Sequence, residues 1–388
     1  MSRRICVVTG SRAEYGLLYW VLHDLRERDD VELQLIVTGM HLSPEFGMTV
    51  ESIERDGFTV TRRVEMLLSS DTPSGIATSL GIGVIGMSSA IEQLRPDIVL
   101  VLGDRFEILA AVQACLVHNV PVAHIAGGDT TEGAFDEGIR HAITKMAHLH
   151  FVTNDLSARR VRQLGEDPAL IHVVGSPGLD HLRRQKLLGR EALSESLGAP
   201  LGPRNLLITF HPVTLEPGDS ERQFGELLSA LEAGPDDLVF WFTRPNADTG
   251  GRALSSMLDD WAARHPERSR VHASLGQLRY LSLMAQADAV VGNSSSGLYE
   301  APSFKVPTVN IGERQRGRLS TTSVIDCPPS RDAILDALTR ALALDCSEVV
   351  NPYGDGESAA RIVSVLADLP PRAALLKKHF HLIEAELG

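Results

Sequence analysis

Acidic side chains gather in two loops in the first half of the chain, each after a short apolar segment. Asp104 follows the segment DIVLVL at 97–102, and Asp129 and Glu132 follow AHI at 123–125 after a double glycine. Carboxylates packed at one site can have their pKa values pushed apart, as acid–base chemistry requires. Helix capping is the alternative role for Asp104, because an aspartate before a helix can satisfy its first backbone N–H groups.

A further acidic side chain and a cation follow within a few residues. Asp136 and Arg140 are four residues apart, so on a helix they share one face and can pair. An exposed ion pair would contribute little to stability. The density of ionisable groups beside the double glycine instead favours a loop that a ligand approaches.

Small residues after two other apolar segments indicate anion binding. Arg12 lies in TGSRAEYG, where an anion could meet its guanidinium and a helix N-terminus. VVGNSSSGLYE at 290–300 offers backbone and hydroxyl donors at a predicted helix start, which suits a diphosphate. The candidates in and after this segment are Ser294, Ser295, Ser296, Gly297, Glu300 and, in GERQRGR, Arg314.

Two more predicted strand ends carry polar residues that also have ordinary structural explanations. His211 lies in TFHP, in which Pro212 prevents simple continuation of the strand. Asn246 and Asp248 follow another apolar segment, but both types are common in turns. These three residues are therefore candidates for a binding site only if they lie close to the loops described above.

Apolar runs alternating with amphipathic segments are the elements that must position these residues. Continuous runs, rather than alternating ones, predict strands buried on both faces of parallel sheets. The predicted strands are 5–9, 32–38, 97–102, 121–125, 149–153, 205–209, 238–243, 271–273, 289–291 and 308–311. The predicted helices are 15–28, 44–56, 107–118, 221–232, 255–264 and 277–286. The sequence therefore predicts two doubly wound α/β domains facing across a cleft, with ligands at the carboxyl ends of strands.

The composition of the chain limits the classes of binding partner that we expect. The chain has 388 residues and a formal net charge of -13 without a basic block, which argues against nucleic acid. Its four cysteines lie far apart, without metal-ligand spacing. No apolar stretch is expected to approach the length of a membrane span, so a cytoplasmic protein without membrane contact is predicted.

Taken together, the motifs resemble the UDP-N-acetylglucosamine 2-epimerase family, and most of all its UDP-hydrolysing branch, which supplies N-acetylmannosamine for sialic acid synthesis. The resemblance runs through TGSRAEYG, GDRFE, HIAGGDTTEG, DEGIRHAITK, FHP, GNSSSG, NIGERQRGR and YGDG. It implies a GT-B-like fold with Rossmann-like domains at 1–175 and 176–365, and a segment 366–388 that packs back on the first domain. It also implies a homodimer or homotetramer.

The resemblance also implies roles. The nucleotide diphosphate would be held by Arg12, Ser294, Ser295 and Arg314, and the uridine ribose by Glu300. The sugar would be surrounded by Asp104, Asp136, Arg140 and His211, with Asn246 and Asp248 as further candidates. The family chemistry is loss of the C2 proton with anti departure of UDP, giving a 2-acetamidoglucal that is hydrated to N-acetylmannosamine. Asp104 is the first candidate for the C2 base and His211 the second, and no cofactor or metal is required.

Two residues depart from the family pattern. Ala126 stands where many relatives carry a glutamate proposed as an acid or base, and Leu17 where some carry a lysine. Asp129 and Glu132 are the candidates to replace that glutamate. The change also leaves open a different substrate, UDP-2,4-diacetamido-2,4,6-trideoxyglucose of the legionaminic acid pathway. A non-hydrolysing epimerase, a GT-B glycosyltransferase and a non-catalytic sugar-nucleotide-binding regulator are the remaining alternatives.

Overall fold

The computed structural model describes residues 2–70, 72–130, 135–212, 219–244, 251–273 and 275–383. The strands in these ranges are β1 (Arg3–Thr9), β2 (Val31–Thr38), β3 (Arg62–Val64), β4 (Ile98–Leu102), β5 (Val122–Ile125), β6 (Leu149–Val152), β7 (Ile171–Val173), β8 (Arg204–Thr209), β9 (Leu238–Thr243), β10 (Ser269–His272), β11 (Ala289–Gly292), β12 (Thr308–Ile311) and β13 (Val324–Cys327). The α-helices are α1 (Arg12–Arg26), α2 (Val50–Arg55), α3 (Pro73–Leu94), α4 (Phe106–Val117), α5 (Asp136–Met146), α6 (Asp155–Gln163), α7 (Asp180–Arg184), α8 (Arg190–Leu197), α9 (Asp219–Glu232), α10 (Gly251–Arg264), α11 (Gly276–Met284), α12 (Ser296–Tyr299), α13 (Arg331–Leu342), α14 (Ser358–Ala367) and α15 (Arg372–Leu375).

The chain forms two compact units, the first comprising Met1–His181 and Tyr353–Gly388 and the second Leu182–Pro352. The first unit extends past the predicted boundary and the chain returns to it before α14, so residues 176–181 and 353–365 lie with the first unit and not with the second domain as predicted from the sequence. Two observations account for this. The Asp180 carboxylate accepts hydrogen bonds from the backbone N–H groups of Ser358 and Ala359, at 2.8 and 2.6 Å. Ile362 of α14 is buried in the same cluster as α1.

The first unit is a parallel sheet in the order β3-β2-β1-β4-β5-β6-β7. Successive side chains of β1 point to opposite faces, as in any strand. Ile5 packs in the cluster that contains Leu18 of α1, whereas Cys6 packs in the one that contains Met87 of α3. Both faces are covered, which explains the continuous apolar run in the sequence.

The second unit is also a parallel sheet, in the order β10-β9-β8-β11-β12-β13. Its faces divide in the same way, with Ile208 in one buried cluster and Leu207 in the other. The prediction of two doubly wound Rossmann-like sheets is therefore confirmed.

Most predicted strands are confirmed, but several elements differ. The strands β3, β7 and β13 were missed. Helices α3, α6, α13 and α14 were not among the predicted helices either. The predicted helix 44–56 is broken, because Gly47 and Met48 have φ values of 83° and 47°, which a right-handed helix excludes.

Helix α3 also corrects the expectation about spanning segments. Among the described helices it is the one with the length and apolar composition to cross a membrane, and 33% of its most apolar window is buried. Met87 and Ile91 of α3 pack in the cluster that covers β4, so the helix is also part of the first unit's core. Ile85 is 74% exposed, which leaves an apolar face on α3.

Candidate active site

The acidic residues of the first unit meet around Arg140, which lies in the second turn of α5. Its guanidinium forms an ion pair with Asp104, in the turn after β4, and another with Glu137 at 3.1 Å. It also donates to the backbone carbonyl of Asp129 at 2.8 Å. The structure thus brings together three segments that the sequence analysis selected separately. The ion pair that Arg140 forms within its own helix is with Glu137, so the suggested Asp136–Arg140 pair is replaced by an i, i+3 pair.

Asp136 opens α5 and lies half-buried in this group. Its pKa is raised, mainly by burial and then by the charge of Asp104, while Arg105 and Arg140 act in the opposite direction. Asp104 is ion-paired with Arg140, and the pKa of Asp136 is raised, so the two carboxyl groups lie in different environments. An asymmetric pair of carboxyl groups is what acid–base catalysis uses.

Asp129 points toward the start of α6. Its Oδ1 atom accepts hydrogen bonds from the Thr153 hydroxyl at 2.7 Å and from the Ser157 hydroxyl at 2.6 Å. These bonds fix the loop after β5, in which Ala126 has a φ of 63°. Of the two candidates to replace the family glutamate, Asp129 therefore has a positioning role in the structure, and Glu132 lies outside the described residues.

Two buried histidines in the first unit were not selected from the sequence. His124 of β5 donates from Nε2 to the carbonyl of Gly103 at 2.8 Å, and burial lowers its pKa to about 3. It therefore stays neutral and supports the turn that carries Asp104. His41 contacts the hydroxyls of Thr9 and Thr49 at 3.0 and 2.7 Å, and burial lowers its pKa to about 4. His41 follows a strand and could have been found by position, whereas His124 is hidden within an apolar run.

The turn between β1 and α1 differs from the anion site that its sequence suggests. The Glu14 carboxylate accepts from the backbone N–H groups of Gly10 at 2.7 Å and Ser11 at 3.2 Å. Those donors are occupied by an internal carboxyl group, so they are not open to a phosphate. Arg12 is exposed at the first position of α1 and is the group of this turn that can meet an anion.

In the second unit, the strand-to-helix connection after β11 requires its first glycine. Gly292 has a φ of 138°, and a Cβ atom there would lie 2.0 Å from the carbonyl oxygen of Thr209. The helix α12 that follows is a single turn of four residues, so its dipole contributes little. Gly297 is buried at its centre against Thr308. The donors at this point are therefore local groups, not a long helix.

Hydroxyl groups form a chain at this strand end. The Ser296 Oγ lies 3.1 Å from the Ser294 Oγ and 2.5 Å from the hydroxyl of Tyr280. Thr209, at the end of β8, lies 2.7 Å from the Thr243 hydroxyl at the end of β9. Ser295 occupies the N-cap position of α12, and its side chain forms no capping hydrogen bond. Tyr280 was missed because it lies within α11, far from any strand end in the sequence.

Glu300 and Arg314 complete the group in the second unit. Glu300 ends α12, burial raises its pKa to about 7, and its buried Oε2 atom has no hydrogen-bond partner. A buried acceptor without a donor fits a ligand hydroxyl, because an unsatisfied polar atom is costly. Arg314 is exposed and donates to the backbone carbonyl of Asn293 at 3.2 Å. His211 is joined to the same residue, Asn293, through its backbone.

Some predicted residues cannot be placed. Asn246 and Asp248, like Glu132, lie outside the described residues. Over the ranges that the structure covers, no group of three or more His, Cys, Asp or Glu side chains could hold a metal ion.

Comparisons with known proteins agree with these motifs. The sequence profile of the family described as UDP-N-acetylglucosamine 2-epimerase matches residues 23–367. The GDP/UDP-N,N'-diacetylbacillosamine 2-epimerase (hydrolyzing) of Campylobacter jejuni is 38% identical, over 84% of this chain and 84% of that protein. The UDP-N,N'-diacetylbacillosamine 2-epimerase (hydrolyzing) of Legionella pneumophila is 36% identical, over 97% and 99%. A UDP-N-acetylglucosamine 2-epimerase of Neisseria meningitidis is 32% identical, over 92% of each chain.

A solved structure supports the fold. The crystal structure of UDP-GlcNAc 2-epimerase from Neisseria meningitidis bound to UDP-GlcNAc has a TM-score of 0.73 and 17% identity, covering 94% of this chain and 99% of that one. The GT-B-like fold implied by the sequence is thereby confirmed. With the family match over most of the chain, these findings show that the chain belongs to the UDP-N-acetylglucosamine 2-epimerase family, in its hydrolysing branch.

Proposed function

We propose that this UDP-sugar 2-epimerase hydrolyses and epimerises UDP-2,4-diacetamido-2,4,6-trideoxyglucose, releasing UDP and the free manno-configured sugar. The names of the two relatives at 38% and 36% identity support this sugar, which is N,N'-diacetylbacillosamine. UDP-N-acetylglucosamine, placed first from the sequence, is the second candidate substrate, supported by the relative at 32% identity. The chemistry at C1 and C2 is the same for both.

The observation that carries the chemistry is the unequal carboxyl pair of the first unit. The Arg140 guanidinium forms an ion pair with Asp104, and burial and the charge of Asp104 raise the pKa of Asp136. Asp104 would take the C2 proton as the C1–O bond to UDP breaks, which forms the C1–C2 double bond of the glucal. Water then adds its hydroxyl to C1, and C2 takes a proton on the opposite face, from Asp136 or His211. Carboxyl groups in different environments at one site suit such an exchange.

The second group would bind the nucleotide. The serine hydroxyls and Arg314 can stabilise the charge on the departing diphosphate. Glu300 offers a buried acceptor to the ribose hydroxyls, and Arg12 of the first unit is a further candidate for the diphosphate. The cytoplasmic location and the homo-oligomeric state expected from the sequence stay predictions.

Proton NMR in D2O tests the proposal with the two nucleotides in separate tubes. We expect UDP and a free manno-configured sugar that carries deuterium at C2, formed faster from the diacetamido nucleotide. Faster turnover of UDP-N-acetylglucosamine would reverse the substrate assignment. Intact nucleotide without C2 exchange in both tubes would refute the epimerase and favour a glycosyltransferase, which releases no free sugar without an acceptor.

A further inference from the structure

A buried asparagine joins three loops of the second unit. Asn293 directly follows β11 and is 0% exposed. Neither its type nor its place in GNSSSG distinguishes it from an ordinary loop residue. Its hydrogen bonds do, because they reach the segment after β8 and the segment after β12.

The side chain of Asn293 forms hydrogen bonds with both backbone polar groups of His211, an arrangement called the bracket below. Its Oδ1 atom accepts from the His211 N–H at 2.7 Å, and its Nδ2 atom donates to the His211 carbonyl at 2.8 Å. The regular pairing of β8 with β11 ends at Thr209 and Gly292. The side-chain amide of Asn293 therefore extends the hydrogen bonding between the two segments beyond the point where the backbones of β8 and β11 stop pairing. Pro212 follows and has no N–H group to hold the chain further.

The backbone of Asn293 holds the third loop. Its carbonyl accepts from Gln315 Nε2 at 2.7 Å and from Arg314 at 3.2 Å, and its N–H donates to Thr209 at 3.2 Å. These bonds do not need the side chain. The side chain of Asn293 therefore holds His211, whereas its backbone holds Arg314, and a substitution of the side chain affects the first contact without removing the second.

An amide is the group that this position requires. The bracket needs one acceptor and one donor on the same short side chain, which asparagine provides. An aspartate would keep the acceptor but turn a carboxylate oxygen toward the carbonyl of His211. An alanine would remove both of these hydrogen bonds from the backbone of His211.

We propose that Asn293 is a positioning residue, whose side chain holds His211 in place for its step in the reaction without contributing to UDP binding. The proposal rests on the function proposed above, because it requires His211 to act on the sugar. It adds a residue to the site that neither the motif pattern nor the family description assigns.

The chain contains a matched control with the same chemistry at the other end of β8. Asn205 is 1% exposed, accepts from the Gly202 N–H at 2.9 Å and donates to the Gly202 carbonyl at 3.0 Å. It also accepts from Trp241 at 3.0 Å. At about 3.3 Å per residue, Asn205 and His211 are separated by roughly 20 Å along the strand direction. Replacing either asparagine removes the same kind of bracket, but only one bracket holds a candidate site residue.

The test compares Asn293→Asp and Asn293→Ala with Asn205→Asp and Asn205→Ala in the full chain. Turnover is measured with saturating nucleotide sugar, UDP affinity by calorimetry, and stability by thermal unfolding. We expect the Asn293 variants to lose about 30-fold or more in kcat, since small misplacements of a reacting group cost up to about 100-fold. Their Kd for UDP should stay within about threefold of the wild type, because the Arg314 contact uses the backbone carbonyl. The Asn205 variants should match them in lost stability and keep a kcat within about threefold of the wild type.

The outcomes separate the two levels of inference. Equal kcat losses in the Asn293 and Asn205 series, unchanged kcat in Asn293→Asp, or a loss of UDP affinity as large as the kcat loss would each overturn the positioning role. If Asn293→Ala does not fold, the isosteric Asn293→Asp decides. A wild-type protein that leaves both nucleotide sugars intact would overturn the proposed function and this inference with it.

Discussion

The buried carboxyl group of Glu14 gives the first unit a stability that depends on pH. Glu14 is 5% exposed, and burial raises its pKa from 4.5 to about 8, with the charge of Glu107 adding to the effect. Folding therefore favours the protonated form. The stability that this group contributes is fully present below pH 4.5 and is lost as the pH rises toward 8.

The size of the effect follows from the shift. One pKa unit corresponds to about 1.4 kcal/mol, so the free energy of unfolding should fall by roughly 3 to 4 kcal/mol between pH 5 and pH 8 because of Glu14. Glu14→Gln removes the titration and keeps an oxygen that can accept from Gly10 and Ser11. We expect the variant to match the wild type within about 1 kcal/mol at pH 5 and to exceed it by about 3 kcal/mol at pH 8.

Urea unfolding at pH 5.0, 6.5 and 8.0 measures this difference, with hydrogen exchange in the segment 3–9 reporting on the first unit. Glu51→Gln, at an exposed position in α2, is the control and should show no difference that widens with pH. A constant difference between Glu14→Gln and the wild type across the three pH values would refute a protonated Glu14. A widening difference in Glu51→Gln would show that the effect is not specific to burial.

Three further changes test other parts of the structure. Glu300→Gln should weaken UDP binding by about tenfold at pH 8 but by less at pH 6. Hydrogen bonds to a carboxylate are stronger than those to a neutral group, and the wild-type side chain, with a pKa of about 7, is mostly protonated at pH 6. Calorimetry at both pH values checks this, and an equal loss of affinity at both would contradict it. Arg140→Met leaves the carboxylates of Asp104 and Glu137 without their shared cation; we expect kcat to fall about 100-fold or more with UDP affinity unchanged, and a kcat near that of the wild type would argue against this cluster as the site of chemistry. Ile85→Glu should convert an oligomer to a smaller species in size-exclusion chromatography with light scattering, because Ile82 and Ile85 are exposed apolar side chains on α3 that a contact between copies would bury. An unchanged mass would place the interface elsewhere.

Strands buried on both faces were predictable from the sequence, and the strands that were missed lie at sheet edges. The bounds of β9 and β12 agree residue for residue with the prediction, because burial on both faces leaves an uninterrupted apolar run. The missed strands β3, β7 and β13 are each the last strand at one side of a sheet. β3 carries two exposed arginines in its three residues, so it has no apolar run to detect. An edge strand is therefore specified by its neighbour more than by its own composition.

The residues of the candidate site were predictable where they directly follow strands. The ion pairs between them were less predictable, because one cation has several carboxylates within reach. Asp104, Arg140 and Asp129 were selected from separate motifs and lie together. The sequence analysis paired Arg140 with Asp136 at i, i+4, but Glu137 at i, i+3 lies within reach as well, and spacing alone does not rank the two. The turn after β4 resolves the choice, because Arg140 also reaches Asp104 and must leave its helix in that direction.

The two units carry different kinds of polar group at the ends of their strands. In the first unit, the backbone N–H groups that a strand-to-helix turn would offer to a phosphate are occupied by the Glu14 carboxyl group. The exposed Arg12 is the group of that turn that can meet an anion. In the second unit, serine hydroxyls and Arg314 follow β11 and β12, and the buried Oε2 atom of Glu300 has no hydrogen-bond partner. Under the proposed function, the carboxyl groups of the first unit suit removal of the C2 proton, and the donors of the second unit suit the charge that develops on the departing diphosphate.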